Sequence, residues 1–266
     1  MTVPSFYNTD FRRIEVAGSV DVQDVIDDII DELTVQLPVA SRWTSLGGGE
    51  YRSPYQDPTG ANRFMSVTLT RVSAVLMGFH VKDKNGTTIR NGSIQFTTSF
   101  TYRIWSGPYH LCVEFEYGTA TYEQAYAVML DPTPFGLQSI WPYVCAWTVR
   151  IANGTADVTA YANNCWMTDA VGANARIMMS SLTSIDATLK TTGGNDIVLP
   201  AEVSVSSSST WYGAGKMYQF AVVSSLIAYK TAMTVPLDSG TTGQFEVLGR
   251  GSAGANNSGL LAIRKA

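Results

Sequence analysis

The sequence predicts a mainly β protein of sandwich- or barrel-like antiparallel sheets with one amino-terminal α-helix. Three observations predict it. Short apolar runs recur from about Phe64 to the end of the chain, separated by Asn-Gly, Gly-Gly and Pro turns, at the spacing of sandwiches and barrels. Small polar residues, glycine and aromatics fill much of the rest, with 23 Gly, 13 Tyr, 10 Phe and 6 Trp among 266 residues. Helical spacing, by contrast, is clear in a single early segment.

That segment is residues 21–37. Val22, Val25, Ile26, Ile29, Ile30, Leu33 and Leu37 recur at i, i+3 and i+4, the signature of one buried helix face. Asp21 or Ser19 can cap its amino end, and Pro38 stops it. The opposite face carries Asp24, Asp27, Asp28, Asp31 and Glu32, with no Lys or Arg among them. Such a face is either simply solvated or a docking surface for a basic patch on a neighbouring subunit. Like charges at helical spacing cost only a few tenths of a kcal/mol per pair, so energetics do not separate the two.

Residues 43–60 read as an irregular loop, with Gly47-Gly48-Gly49, Pro54 and Asp57-Pro58-Thr59-Gly60. Its aromatics Trp43, Tyr51 and Tyr55 join Asp24, Asp27, Asp28 and Asp31 as the candidate interaction surface. A meander follows, with strands over 64–71, 75–81, 94–100, 102–105 and 110–116. Asp83-Lys84-Asn85-Gly86 supplies a turn of the type Asn-Gly favours, where positive φ is needed. Asn91-Gly92 and Asn153-Gly154 mark two more. Tyr122, Ala125, Tyr126, Met129 and Leu130 can share one face, so a second short helix is expected over 122–130, capped by Thr121. Asp131-Pro132-Thr133-Pro134-Phe135-Gly136 then interrupts any regular element. The chain divides there into residues 1–131, a helix plus β lobe, and residues 132–266, a β-sandwich-like lobe. Strands are expected near 140–151, 155–168, 174–189, 196–205, 211–223, 231–237, 243–250 and 259–264.

Composition limits the function. Charged residues make up 15% of the chain, against about 25% in ordinary soluble domains, and a surface poor in charge suits packing against other chains. The net charge of −4 and the lack of a Lys/Arg cluster argue against nucleic acid, which needs a basic stripe. Residues 1–19 are too polar for a secretory signal, and no apolar run approaches the ~18 residues of a membrane span. The expectation is a chain made in a cytoplasm. Three cysteines, Cys112, Cys145 and Cys165, sit among apolar neighbours, and their odd number favours buried thiols over a disulfide framework.

The chemical motifs are weak. Gly249-Arg250-Gly251-Ser252-Ala253-Gly254 matches a dinucleotide fingerprint but has no acidic residue after it. Asp238-Ser239-Gly240 lacks the partner aspartate of an acid protease. His110 and Cys112 lie two apart on one strand face, too few for a structural zinc site. The chain has no Gly-x-Ser-x-Gly elbow and no catalytic-cysteine signature. Asp157, Asp169, Asp186, Asp196 and Glu202 show no spacing that favours a glycosidase pair. The sequence therefore predicts no enzyme, no cofactor and no metal.

In layout, much of the chain resembles structural proteins of tailed bacteriophages. The segments that carry the resemblance are DVQDVIDDIIDELTVQLP, RWTSLGGGEYRSP, GANRFMSVTLTRVSA, MGFHVKDKNGTTI, RIWSGPYHLCVEF and TVPLDSGTTGQFEVLGR. The resemblance implies a virion subunit of the neck, tail or baseplate, made in the host cytoplasm. It would assemble with itself and with other virion proteins. No coiled coil, β-helix repeat or collagen-like stretch marks a fibre shaft. The alternative is a lectin-like module that binds a cell-surface glycan, with Trp141, Trp166 and Trp211 as its platform.

Overall fold

The computed structural model describes residues 11–18, 21–55, 63–95, 100–117, 121–130, 144–151, 174–177, 198–207, 210–223, 232–236, 242–248 and 260–265. In chain order the elements are β1 (Arg12–Gly18), α1 (Val22–Asp31), β2 (Thr44–Gly47), β3 (Glu50–Arg52), β4 (Met65–Ser73), β5 (Leu76–Asp83), β6 (Thr88–Gln95), β7 (Phe100–Gly107) and β8 (His110–Tyr117). They continue with β9 (Thr121–Met129), β10 (Val144–Ile151), β11 (Asn174–Ile177), β12 (Val198–Ser207), β13 (Thr210–Val223), β14 (Ala232–Pro236), β15 (Thr242–Val247) and β16 (Leu260–Arg264). The protein is mainly β, with antiparallel sheets and, among the described residues, one α-helix near the amino end, as its sequence predicts.

The described strands form three sheets. A central sheet runs β1-β7-β8-β9-β10, an amino-terminal outer sheet runs β2-β3-β4-β5-β6, and a carboxyl-terminal sheet runs β11-β12-β13-β16-β15-β14. In a strand successive side chains point to opposite faces, and the central register sorts them cleanly. Tyr102 pairs with Phe115, Ile104 with Val113, Leu111 with Ala127 and Met129 with Val144. This face packs on Val67, Leu69, Phe79 and Val81 of the amino-terminal outer sheet. The second face of that outer sheet is polar, where Glu50 accepts from Ser66 at 2.5 Å and from Lys82 at 3.0 Å. Along one side the two sheets nearly join. β6 approaches β10, and Arg90 Nε donates to Thr148 Oγ1 at 3.1 Å.

The helix closes the sandwich. Asp21 caps it, accepting from the Gln23 N–H at 2.9 Å, while Asp24 accepts from the Asp21 N–H at 3.0 Å, a reciprocal capping box. Its last turn widens into a π-helical turn over Glu32–Gln36. Val22, Val25, Ile26, Ile29, Leu33 and Leu37 all enter the same apolar cluster as the two sheets. At roughly 1.5–3 kcal/mol for each large side chain buried, this face explains why a helix persists in a β protein. Arg71 of β4 pairs with Asp21 at 2.9 Å, Arg12 of β1 with Glu32 at 2.7 Å, and Tyr102 of β7 donates to Asp28.

Three local expectations are corrected. Where a short helix over 122–130 is expected, residues 121–129 form strand β9, between β8 and β10. Both of its faces are covered, so apolar residues recur at helical as well as strand spacing, and ladder pairing on both edges decides the matter. Asn91-Gly92 lies inside β6, paired with His80 and Phe79. Its glycine permits close approach, since a Cβ there would stand 3.0 Å from Thr148 Oγ1. The segment read as irregular contains the β2–β3 hairpin, turned by Gly47, Gly48 and Gly49 at φ +86°, +61° and +78°. Asn153-Gly154, the 131–136 boundary and the strand expected over 155–168 lie outside the described residues. β10 pairs with β9 within the central sheet.

Gly49 is the most constrained of the three turn glycines, because a Cβ would fall 2.7 Å from the Leu69 carbonyl oxygen. Gly49→Ala should lower unfolding free energy in a urea titration by about 1–3 kcal/mol. Gly48→Ala, which meets no neighbouring atom, should lower it by less.

Candidate interaction surface

The outward side of α1 is where the acidic residues gather. Asp24, Asp27 and Asp31 are exposed and Asp28 is half-buried. Each has a local hydrogen-bond donor: Asp24 caps the helix, Asp27 accepts from Gln23 at 2.8 Å, Asp31 accepts from Gln36 at 2.9 Å, and Asp28 accepts from Tyr102. These bonds orient the carboxylates without neutralising them. The nearby guanidiniums are drawn to other acids. Arg71 holds the Asp21 carboxyl down at about 2, helped by the Gln23 N–H, and Arg12 is bound to Glu32. The acidic stripe ends in apolar residues, with Val35 at 50% and Val39 at 78% exposure on the turns that follow α1.

The aromatics of the candidate surface separate. Trp43 lies in the core, its Nε1 donating to the Gly107 carbonyl at 2.9 Å and pinning the chain after the helix to the β7–β8 turn. Tyr51 is half-buried against the same core. Tyr55 is exposed and belongs to a surface cluster. The Arg52 guanidinium lies 5.0 Å from the Tyr55 ring centre and 5.5 Å from that of Phe64, and the two rings meet edge-on at 5.7 Å. Tyr109 OH donates to the Tyr55 carbonyl at 3.3 Å. Trp141 and Trp166 lie outside the described residues, as do the glycine-rich and Asp-Ser-Gly motifs.

The second face of the central sheet holds residues that sequence reading did not single out. Here Arg13 pairs with Trp105, Glu15 with Arg103, Arg103 with Glu114 and Trp105 with Cys112 across the strands. Arg103, fully buried, bonds Glu114 at 2.9 Å and Glu15 at 3.2 Å, and also Glu116. Gln124 donates to Glu114 at 2.5 Å. The signal for this cluster was present: Glu114 and Glu116 alternate with Val113 and Phe115, a period of two on a strand buried on both faces. Periodicity showed the strand but could not show what would cover its polar side.

His110 and Cys112 share this face, as their spacing predicts, and both are buried. His110 lies 5.0 Å from the Phe11 ring. Burial, with Arg264 nearby, pushes its imidazole down to about 3. Cys112 is a free thiol raised well above its usual range by burial and by Glu114. Cys145 is disulfide-bonded, so the buried-thiol expectation holds for Cys112 and fails for Cys145. Among the described residues, no group of three or more His, Cys, Asp and Glu side chains is placed to hold a metal ion. Among the same residues, no helix is long and apolar enough to cross a membrane. Comparison of the chain with protein-family models and with curated proteins finds no match.

Two outcomes follow from the buried polar groups. Arg103→Met leaves three carboxylates without their shared cation, and should reduce unfolding free energy by about 3–5 kcal/mol in a denaturant titration at pH 7. His110 is neutral when folded but takes a proton below about 6.5 when unfolded. The unfolded chain therefore binds more protons, and stability should fall as pH is lowered from about 6.5 towards about 3. The melting temperature of His110→Gln should decline less steeply across that window than that of the unsubstituted protein.

Proposed function

We propose that the chain is a structural subunit of a tailed-phage virion, assembling with itself and with other virion proteins in the neck, tail or baseplate. The phage assignment rests on the sequence resemblance. The observation that supports contact as the activity is the outward face of α1, a run of carboxylates ending in exposed Val35 and Val39 on a rigidly buried helix. The helix cannot shift without breaking the apolar core, so its exposed stripe is presented in a fixed orientation. Repeated in a ring, such a face gives many weak contacts whose strength is collective. The low charge content of 15% limits repulsion between neighbouring copies. The partner that suits the stripe is a second copy or another virion protein offering basic and apolar side chains together.

A second reading, glycan binding, is favoured by the Arg52, Tyr55, Phe64 and Tyr109 cluster. It presents aromatic surface beside a guanidinium, an arrangement able to stack on a sugar ring and bond its hydroxyls.

Light scattering of the purified chain, followed by negative-stain imaging, separates the readings. A discrete multimer is expected. Asp27→Lys with Asp31→Lys should reduce its mass towards that of one chain, because both carboxylates are exposed and, among the described residues, bond glutamine amides. Unchanged circular dichroism would show that the fold survives. A monomeric unsubstituted protein would turn attention to docking on a preformed partner or to the glycan reading. A multimer indifferent to the double substitution would remove the helix stripe as the contact.

A further inference from the structure

Arg12, Arg13, Arg71, Lys82, Arg103 and Lys265 each form an ion pair within the fold. Arg52 forms none among the described residues. Its neighbour Tyr51 packs on the core, so alternation along β3 turns Arg52 onto the polar outer face of the amino-terminal outer sheet. Glu50 shares that face but is held by Ser66 and Lys82. The Arg52 guanidinium instead lies against the Tyr55 and Phe64 rings and donates to Tyr55 OH at 3.2 Å. Two rings thus hold a positive charge in place, at a surface where Tyr55 is exposed. On the side closed by α1, the carboxylates of Asp24, Asp27 and Asp31 are exposed. Among the described residues they too form no ion pair, and exposed Val35 and Val39 lie beyond them.

We infer, resting on the reading of the helix stripe as a contact, that the Arg52 cluster of one copy receives the α1 stripe of the next. Each surface supplies what the other lacks. A carboxylate of the stripe meets the guanidinium in a charge-assisted bond that the single chain leaves unmade, and Val35 and Val39 meet the Tyr55 and Phe64 rings. Stripe on stripe would oppose like charges, which costs affinity, so a symmetric pair through α1 is disfavoured. A second copy carries the complementary surface in equal number, so no foreign partner is needed. Both surfaces are held before contact, one by the buried helix face and the other by the two rings, which lowers the ordering cost of association. Because they are different patches of one chain, the contact runs head to tail, and repeated copies close into a ring or extend as a filament.

Light scattering of single and mixed variants tests the pairing. Arg52→Ala should weaken self-association at least about 10-fold, moving the mass towards that of one chain with circular dichroism unchanged. Arg52→Gln, which keeps the stem and a hydrogen-bond donor, takes its place if Arg52→Ala does not fold. The deciding preparation is an equimolar mixture of Arg52→Ala with the Asp27→Lys, Asp31→Lys chain. The first retains an intact stripe and the second an intact Arg52 cluster, so one contact survives. The mixture should give a species of two chains and nothing larger. A multimer lost in Asp27→Lys with Asp31→Lys but kept in Arg52→Ala would leave the stripe as a contact and overturn Arg52 as its partner. A multimer that only Arg52→Ala dissolves would overturn the pairing too, because the stripe would then have no part in it. So would a mixture that stays monomeric, or an unsubstituted protein that never associates.

Discussion

The structure depends on one constraint: the central sheet is covered on both faces, so each of its strands must satisfy two environments at once. β8 shows the solution residue by residue. Leu111, Val113 and Phe115 enter the apolar cluster, while His110, Cys112 and Glu114 are buried in the opposite layer. A carboxylate held at zero exposure is tolerable only beside a cation, and Arg103 supplies it directly across the strand pair. The same arginine reaches Glu15 on β1 and Glu116 on β8. One guanidinium thus holds an edge strand and two central strands in register.

The helix answers a different need. Two sheets that nearly meet along β6 and β10 leave the other side of the sandwich open. α1 and the turn after it fill it with six fully or almost fully buried aliphatic side chains, four of them on α1 itself. Its ends and flank are tied to β4, β1 and β7 by Asp21, Glu32 and Asp28. The acidic character of this helix therefore has two parts. Asp21, Asp28 and Glu32 hold the helix to the sheets, whereas Asp24, Asp27 and Asp31 face solvent. Reading the stripe as one surface merged these roles. The fold separates the structural acids from those left available to a partner.

The sequence by itself determined the mainly β class, a helix over residues 21–37 that Asp21 or Ser19 can cap, and the placement of most described strands; the choice of Asp21 as the cap is the structure's. Periodicity and capping are local properties, and they survive any tertiary arrangement. It also placed His110 and Cys112 on one strand face, because alternation along a strand is independent of what covers it. Only the tertiary structure decided that β9 is a strand, that Gly92 sits where β6 approaches β10, and that Trp43 is a core anchor. It alone brought Glu15, Arg103, Glu114 and Glu116 together across 101 positions of chain. The physical reason is that two strand faces look alike in sequence when both are buried, and the neighbour that covers each comes from distant residues.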